Sequence, residues 1–397
     1  MANAAHITQT LIDTYLITHP HLDHISGFIV NTAGFNGNRP KRLAGLPSTI
    51  AAFKTHIFNN IIWPNLSDEN NGVGLVTYMR LVEGGSPAIG EGEDQGYLEI
   101  SDGLAVKTWS VSHGHCIERH SHRGSQSSQG ERFGSTDFSA TSPRIITTAA
   151  SHGHASGTGT PMSRINSLMN QASQQSSGAE IERICVYDSS AYFIRDVATG
   201  REVLIFGDVE PDSISLSPKN LRAWQEAAPK IASGMLSSIF IECSFEDSQS
   251  DERLFGHLKP FYIVEELRVL AAEVEQARRI GSSENKKRKR DADDSSLPVR
   301  RRSPFGFEES VSPKSSKPSR GPTLEVVTPT SEVDLSMYSS QERPLRDLKV
   351  VVIHVKDKLS DGPPLGETIL EQLKEHEEAA KLGCEFIISS AGQSIMT

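Results

Sequence analysis

Three imidazoles and a carboxylate fall within the six residues His19-Pro20-His21-Leu22-Asp23-His24, directly after the apolar, β-branched run Thr14-Tyr15-Leu16-Ile17-Thr18. Imidazole and carboxylate suit zinc, manganese or iron. Two residues apart on an extended segment, His19 and His21 point the same way and can grip one ion. Asp23 and His24 lie past a turn of the chain, so they point to a second metal beside the first. Ile25 to Val30 carries apolar residues at helical spacing, and Gly27 is small enough to pack under a metal centre. The stretch therefore reads as strand, ligand loop, helix.

Further candidate ligands stand just past the ends of other predicted strands. Val106 to Val111 delivers His113 after Ser112, Val203 to Phe206 delivers Asp208 after Gly207, and Val350 to Ile353 delivers His354. Sheets gather discontinuous residues at one edge in this way. A single histidine after a strand is ordinary, but four strands ending alike are not. His113 has rivals in His115 and in Ser151-His152-Gly153-His154; it is preferred because a strand precedes it. His120 and His122 lie in low-complexity sequence.

The elements that must position these groups follow an α/β pattern. Arg42 to Leu46 reads as a short strand, and Pro47-Ser48-Thr49 opens a helix running towards Ile57. The residues from there to Asn71 read as loop. Leu98–Ile100 and Leu104–Val111 alternate as a hairpin around Ser101-Asp102-Gly103. Ile184–Tyr187, Ser190–Arg195, Glu202–Phe206 and Ser238–Ile241 read as strands, Leu221–Ala232 and Phe261–Arg279 as helices. Leu348–Ile353 is a buried strand, Ile369–Leu382 an amphipathic helix, and Cys384–Ile388 a last strand. Two stretches, 118–178 and 281–341, are rich in Ser, Gln, Gly, Pro and charge and cannot bury enough apolar surface to fold. They are expected to be disordered insertions in one domain spanning 1–397.

Composition narrows the function. Of 397 residues, 37% are hydrophobic, low enough to fit one mid-sized core with insertions. A net charge of -10 argues against a general nucleic-acid binder. Cys116, Cys185, Cys243 and Cys384 are far apart, without C-x-x-C pairing, and read as thiols of a reducing compartment. Neither a signal peptide nor an 18-residue apolar run is present, so a soluble cytoplasmic protein is expected. Lys286-Lys287-Arg288-Lys289-Arg290 would add the nucleus if it serves as a localisation signal; a solvated charge run is the equal alternative.

His-x-His-x-Asp-His after a strand resembles the signature of the metallo-β-lactamase superfamily. The longer stretch His19 to Ala33 is similar to the class II cyclic-nucleotide phosphodiesterases, departing at Phe28 and Thr32, neither of which can be a ligand. Val111-Ser112-His113-Gly114, Leu204 to Val209, Ile241 to Phe245, Gly256 to Pro260 and Val352 to Lys356 match that class in order. The resemblance implies an αββα sandwich and two divalent metals, zinc first among them. His19, His21 and His113 would hold one ion, Asp23, His24 and His354 the other, with Asp208 bridging. It further implies a hydroxide held by the metals that attacks the phosphorus of 3′,5′-cyclic AMP or GMP, yielding the 5′-monophosphate. His257 is the expected proton donor to the leaving 3′-oxygen, oriented by Glu242. Members of the superfamily carry a strand pair and a Gly-rich turn ahead of the metal motif. About a dozen residues precede the first strand here, so the first sheet is expected to lack that edge.

The expected partner is a small-molecule cyclic nucleotide, with no membrane and no nucleic acid; oligomeric state is not readable. Two alternatives remain open. One is another phosphodiesterase of the same fold, such as a tRNA 3′-processing nuclease, which would need a basic docking arm. The other is a metal-binding but inactive regulatory protein.

Overall fold

A computed structural model describes residues 6–35, 39–90, 92, 95–119, 144–145, 182–294, 343–356 and 362–396. Its first sheet consists of β1 (Thr14–Leu16), β2 (Lys41–Gly45) and β3 (Val76–Arg80), all parallel and in that order. Parallel neighbours need crossovers, and helices supply them. Helix α1 (Leu22–Asn31) links β1 to β2, and α2 (Pro47–Ala52), continued by a wider turn over Phe53–Ile57, leads towards β3. Both helices bury one face, with Ile25, Phe28, Ile29, Ile50 and Phe53 packed against Leu43, Val76 and Tyr78. Because strand side chains alternate, Ala44 points the other way, into a second apolar cluster with Leu81, Ile100, Val106 and Tyr192. That cluster is the seam between the two sheets.

The second sheet contains β4 (Leu98–Ser101), β5 (Leu104–Arg119), β6 (Arg144–Ile145), β7 (Glu182–Asp196), β8 (Glu202–Phe206), β9 (Leu236–Glu242), β10 (Lys349–Ile353) and β11 (Glu385–Ile388). Its order is β11-β10-β9-β8-β7-β5-β4, with β6 paired to β7. The four strands from β8 to β11 are parallel; β7, β5 and β4 are antiparallel to their neighbours. Helices α3 (Asn220–Ala232), α4 (Pro260–Asp294) and α5 (Leu365–Ala380) cover the outer face. There Trp224, Ile263, Leu267, Ile369 and Leu373 meet Leu204, Phe206, Ile239 and Val350 in the largest core. The layers are helix, sheet, sheet, helix, as expected.

Several details depart from the sequence reading. Helix α1 begins at Leu22, so Asp23 and His24 project from its first turn rather than from a loop. Strand β3 falls where no element was expected, behind a loop with Asn70 and Asn71 at positive φ. Strand β7 is one continuous element, although Asp188, Ser189 and Ser190 interrupt its apolar pattern. Helix α4 continues to Asp294 and takes in the basic run Lys286–Arg290; Lys, Arg, Glu and Ala are good helix formers, and no proline intervenes before Pro298. Strand β1 stands at one edge of the first sheet, and no strand among the described residues lies beyond it.

By compactness, residues 279–343 form a unit apart from 1–278 and 344–397. The remainder of the two expected insertions lies outside the described residues, as do His120, His122, His152 and His154. Cys185, Cys243 and Cys384 are buried, the last two as free thiols. No helix among the described residues is long and apolar enough to cross a membrane.

Candidate metal centre

The chain leaves β1 through Ile17 and Thr18 and places His19 in the interior, 1% exposed. Its Nδ1 faces the Thr18 hydroxyl at 3.1 Å and the Ser189 hydroxyl at 3.4 Å. Those contacts occupy Nδ1, while Nε2 is buried without a hydrogen-bond partner. The polar break in β7 thus has a cause: Ser189 supports His19, and Ser190 Oγ donates to the Thr18 carbonyl at 2.9 Å.

His113 sits in β5 where the pairing with β7 shifts register between Ser112 and His115. The bulge turns His113 inward, 4% exposed, while His115 is exposed. His113 Nδ1–H donates to the Gly256 carbonyl at 2.8 Å, which leaves Nε2 facing His21 Nδ1 at 3.2 Å. Gly114 and Gly256 both have φ near +80° and pass so closely that a Cβ on Gly256 would lie 2.7 Å from the His113 carbonyl.

Asp208 follows β8 after Gly207. A Cβ on Gly207 would lie 2.5 Å from Thr18 Cβ, so glycine lets this strand end press against the chain entering the histidine motif. Asp208 Oδ2 lies 3.1 Å from His24 Nε2, 3.6 Å from His113 Nε2 and 3.7 Å from His19 Nε2. Its Oδ1 lies 3.5 Å from His354 Nδ1 and has no hydrogen-bond partner. His354, past β10, adopts a left-handed φ of 55°, a strain of about 1 kcal/mol typical of functional positions. Its Nε2 is 3.4 Å from Asp23 Oδ2.

Electrostatics suit a cation. Burial lowers His19 to about 2 and His113 to about 4, and lowers His21 as well, so these rings stand neutral and can ligate. Burial would raise Asp208, but the His24 hydrogen bond and the charge of His354 outweigh it and keep the carboxyl well below its usual range. His24 is raised, because its bond to Asp208 outweighs its burial. Donor atoms within 4.8 Å of one another form three groups: His19, His21 and His113; Asp23, His24, Asp208 and His354; and His113, Asp208, Glu242 and His257. Orphaned Nε2 of His19 and Oδ1 of Asp208, both fully buried, are what a missing cation would satisfy. The residues fit divalent metal.

Glu242, at the end of β9, is fully buried. It accepts from the Val209 N–H at 2.8 Å, the Ser244 hydroxyl at 2.6 Å and His257 Nδ1 at 2.8 Å. Burial and the Asp208 charge raise its carboxyl to about 8. Burial also lowers His257 to about 4, with Asp208 opposing and Lys356 assisting. Two residues escaped the sequence reading. Ser244 hydroxyl joins Glu242 to His354, whose Nδ1 lies 3.0 Å away. Lys356 Nζ lies 2.8 Å from His257 Nε2. Serine and lysine are too common to signal themselves, although both lie in segments singled out for other residues.

The sequence profile of the cAMP phosphodiesterases class-II family matches residues 1–129, 140–283 and 325–392. The chain belongs to that family. A 3′,5′-cyclic-nucleotide phosphodiesterase of Schizosaccharomyces pombe is 28% identical over 274 residues, covering 69% of this chain and 56% of its own length. One of Candida albicans is 26% identical, covering 97% of this chain and 73% of its own. The chain thus spans little more than half of the first relative and under three quarters of the second. A crystal structure of unliganded yeast PDE1 superposes with a TM-score of 0.53 at 22% identity, over 96% of this chain and 67% of that one. This likeness shows the metallo-β-lactamase-like fold. Within the class-II family fold, all nine residues singled out as ligands or catalytic groups converge on one cluster at the strand ends.

Proposed function

We propose that this protein hydrolyses 3′,5′-cyclic nucleotides to 5′-monophosphates. The observation that carries the reading is the abutment of two donor groups and a buried Glu242–His257 pair on one carboxylate, Asp208. His19, His21 and His113 would hold one divalent ion and Asp23, His24 and His354 a second, with Asp208 between them. A His-rich, Asp-bridged set suits zinc best. When bound, such ions supply Lewis-acid polarisation of phosphoryl oxygens and water of lowered pKa.

The side chains do the rest. His19 and His113 keep their Nε2 lone pairs aimed inward because hydroxyls and the Gly256 carbonyl occupy their Nδ1 sides. Asp208 stays ionised, with Oδ2 facing His19, His113 and His24 and Oδ1 facing His354. The leaving 3′-oxygen needs a proton, and His257 is the side chain placed to hand it over from Nε2. Glu242 holds the opposite nitrogen, which fixes the orientation of the ring. Ser244 ties this pair to His354, so the acid and one ligand move together.

The test is turnover of cyclic AMP by the purified, metal-loaded chain, with metal content measured in the same sample. Activity with about two ions per chain, lost in His21→Ala, is expected. Two bound ions without hydrolysis would favour the inactive regulatory alternative, and cleavage of RNA with cyclic AMP untouched would replace the reading.

A further inference from the structure

Lys356 lies two residues past His354, where the chain leaves β10, and its backbone N–H donates to the Ser244 carbonyl at 3.3 Å. Its half-buried ammonium stands 2.8 Å from His257 Nε2 and 5.7 Å from the centre of the Phe245 ring. Among the described residues it pairs with no carboxylate, in contrast to Lys107, Lys219, Lys230 and Lys259, each of which does. An ammonium has three N–H donors, and His257 takes one. Removing a cation from water without a counter-ion is unfavourable, and a bond to a neutral ring nitrogen and an aromatic face bring no opposite charge to offset it. An anion arriving from outside would. The phosphodiester carries its negative charge on two oxygens of the phosphorus, next to the ester oxygen that His257 is placed to protonate. Lysine serves such oxygens as a mobile point charge.

We propose that Lys356 anchors the phosphoryl group of the substrate, its ammonium turning from His257 Nε2 to a non-bridging phosphoryl oxygen on binding. The same movement frees the Nε2 lone pair to take the proton given up by the attacking water and pass it to the leaving oxygen. The anion's identity as a cyclic nucleotide rests on the proposed activity; the affinity for phosphate does not.

Inorganic phosphate is therefore the probe, titrated calorimetrically into the metal-loaded full chain as wild type, Lys356→Met and Lys356→Arg. Lys356→Met is expected to weaken phosphate binding about ten- to a hundred-fold, the worth of one charge-assisted hydrogen bond. The KM for cyclic AMP should rise by a similar factor. Lys356→Arg, which keeps the charge, should stay within about three-fold of wild type for phosphate. Equal phosphate affinity in wild type and Lys356→Met at matched metal content would overturn the proposal. So would equal loss in both variants. Should Lys356→Met lose metal, the arginine variant decides alone: near-wild-type phosphate affinity supports the anchor and its loss refutes it. Lys356-dependent phosphate binding without cyclic AMP turnover would keep the anchor and remove the phosphodiesterase reading. Turnover unchanged in Lys356→Met would do the reverse.

Discussion

Asp208 holds five imidazoles within 3.7 Å of its two oxygens, those of His19, His24, His113, His257 and His354. It balances every donor group, so its charge matters more than its size. Asp208→Asn keeps the shape and removes the charge; metal content should fall at least ten-fold at equal free metal, as read by elemental analysis after dialysis. Retention of full metal would mean that the histidines bind alone. Glu242 acts differently, since it reaches the centre through His257. Glu242→Gln should keep its metal while kcat falls about a hundred-fold with KM little changed, the signature of a lost proton-transfer partner. Proportional loss of metal and kcat would instead make Glu242 a ligand. At this scale the sequence was most informative: dense histidines and strand-end residues marked the candidate ligands by type, and the fold gathers them. Ser244 and Lys356 did not announce themselves, because their roles come from contacts between β9, β10 and the His257 loop that spacing cannot express.

Two elements need chemistry beyond hydrophobic pattern to stand where they do. The His257 loop closes on β5 through Gly114 and Gly256, and Gly256 presents the carbonyl that orients His113. Gly256→Ala meets both a positive φ of 81° and a 2.7 Å backbone contact. A destabilisation of about 1–3 kcal/mol is expected, with weakened metal binding, checked by thermal melting and metal titration. Unchanged melting would mean that the loop gives way freely. Helix α4 holds the chain after β8 through Glu266, which accepts from the Asp212 N–H at 2.7 Å and from Trp224 Nε1 at 2.6 Å. Burial, then the Asp212 charge, raises this carboxyl from 4.5 to about 7. Because the folded value exceeds the unfolded one, its stabilising contribution is complete below about pH 4.5 and is lost as pH rises through 7. Up to about 3 kcal/mol is at stake. The wild type should lose melting temperature relative to Glu266→Gln between pH 5 and 8; parallel profiles would show that Glu266 does not titrate there. None of this is visible from one chain, since a buried glutamate reads in sequence like any helical surface glutamate.

On the scale of the whole molecule, alternation and helical spacing sufficed to mark most strands and helices, because each has one apolar face to bury, while the αββα layering came from the family resemblance. They failed where function overwrote the pattern, as at Asp188–Ser190 of β7, and where a strand is short and half polar, as in β3. The basic run departs for a different reason: its composition is of low complexity, yet its residues are good helix formers and extend α4. The sheet places β10 between β9 and β11, with every candidate ligand on segments outside 279–343. Closing a loop costs only (3/2)RT ln n, so replacing 283–343 by a Gly/Ser linker of about a dozen residues changes that cost by about 1 kcal/mol in favour of folding. The shortened protein should therefore melt no lower than wild type and keep its metal content and cyclic AMP turnover. A metal-free or aggregated product would show instead that 283–343 contributes to the fold of the catalytic layers. The variant also lacks Lys286–Arg290. If that run directs the protein to the nucleus, tagged wild type will be enriched there and the shortened form excluded, whereas identical distributions would leave the run without that role.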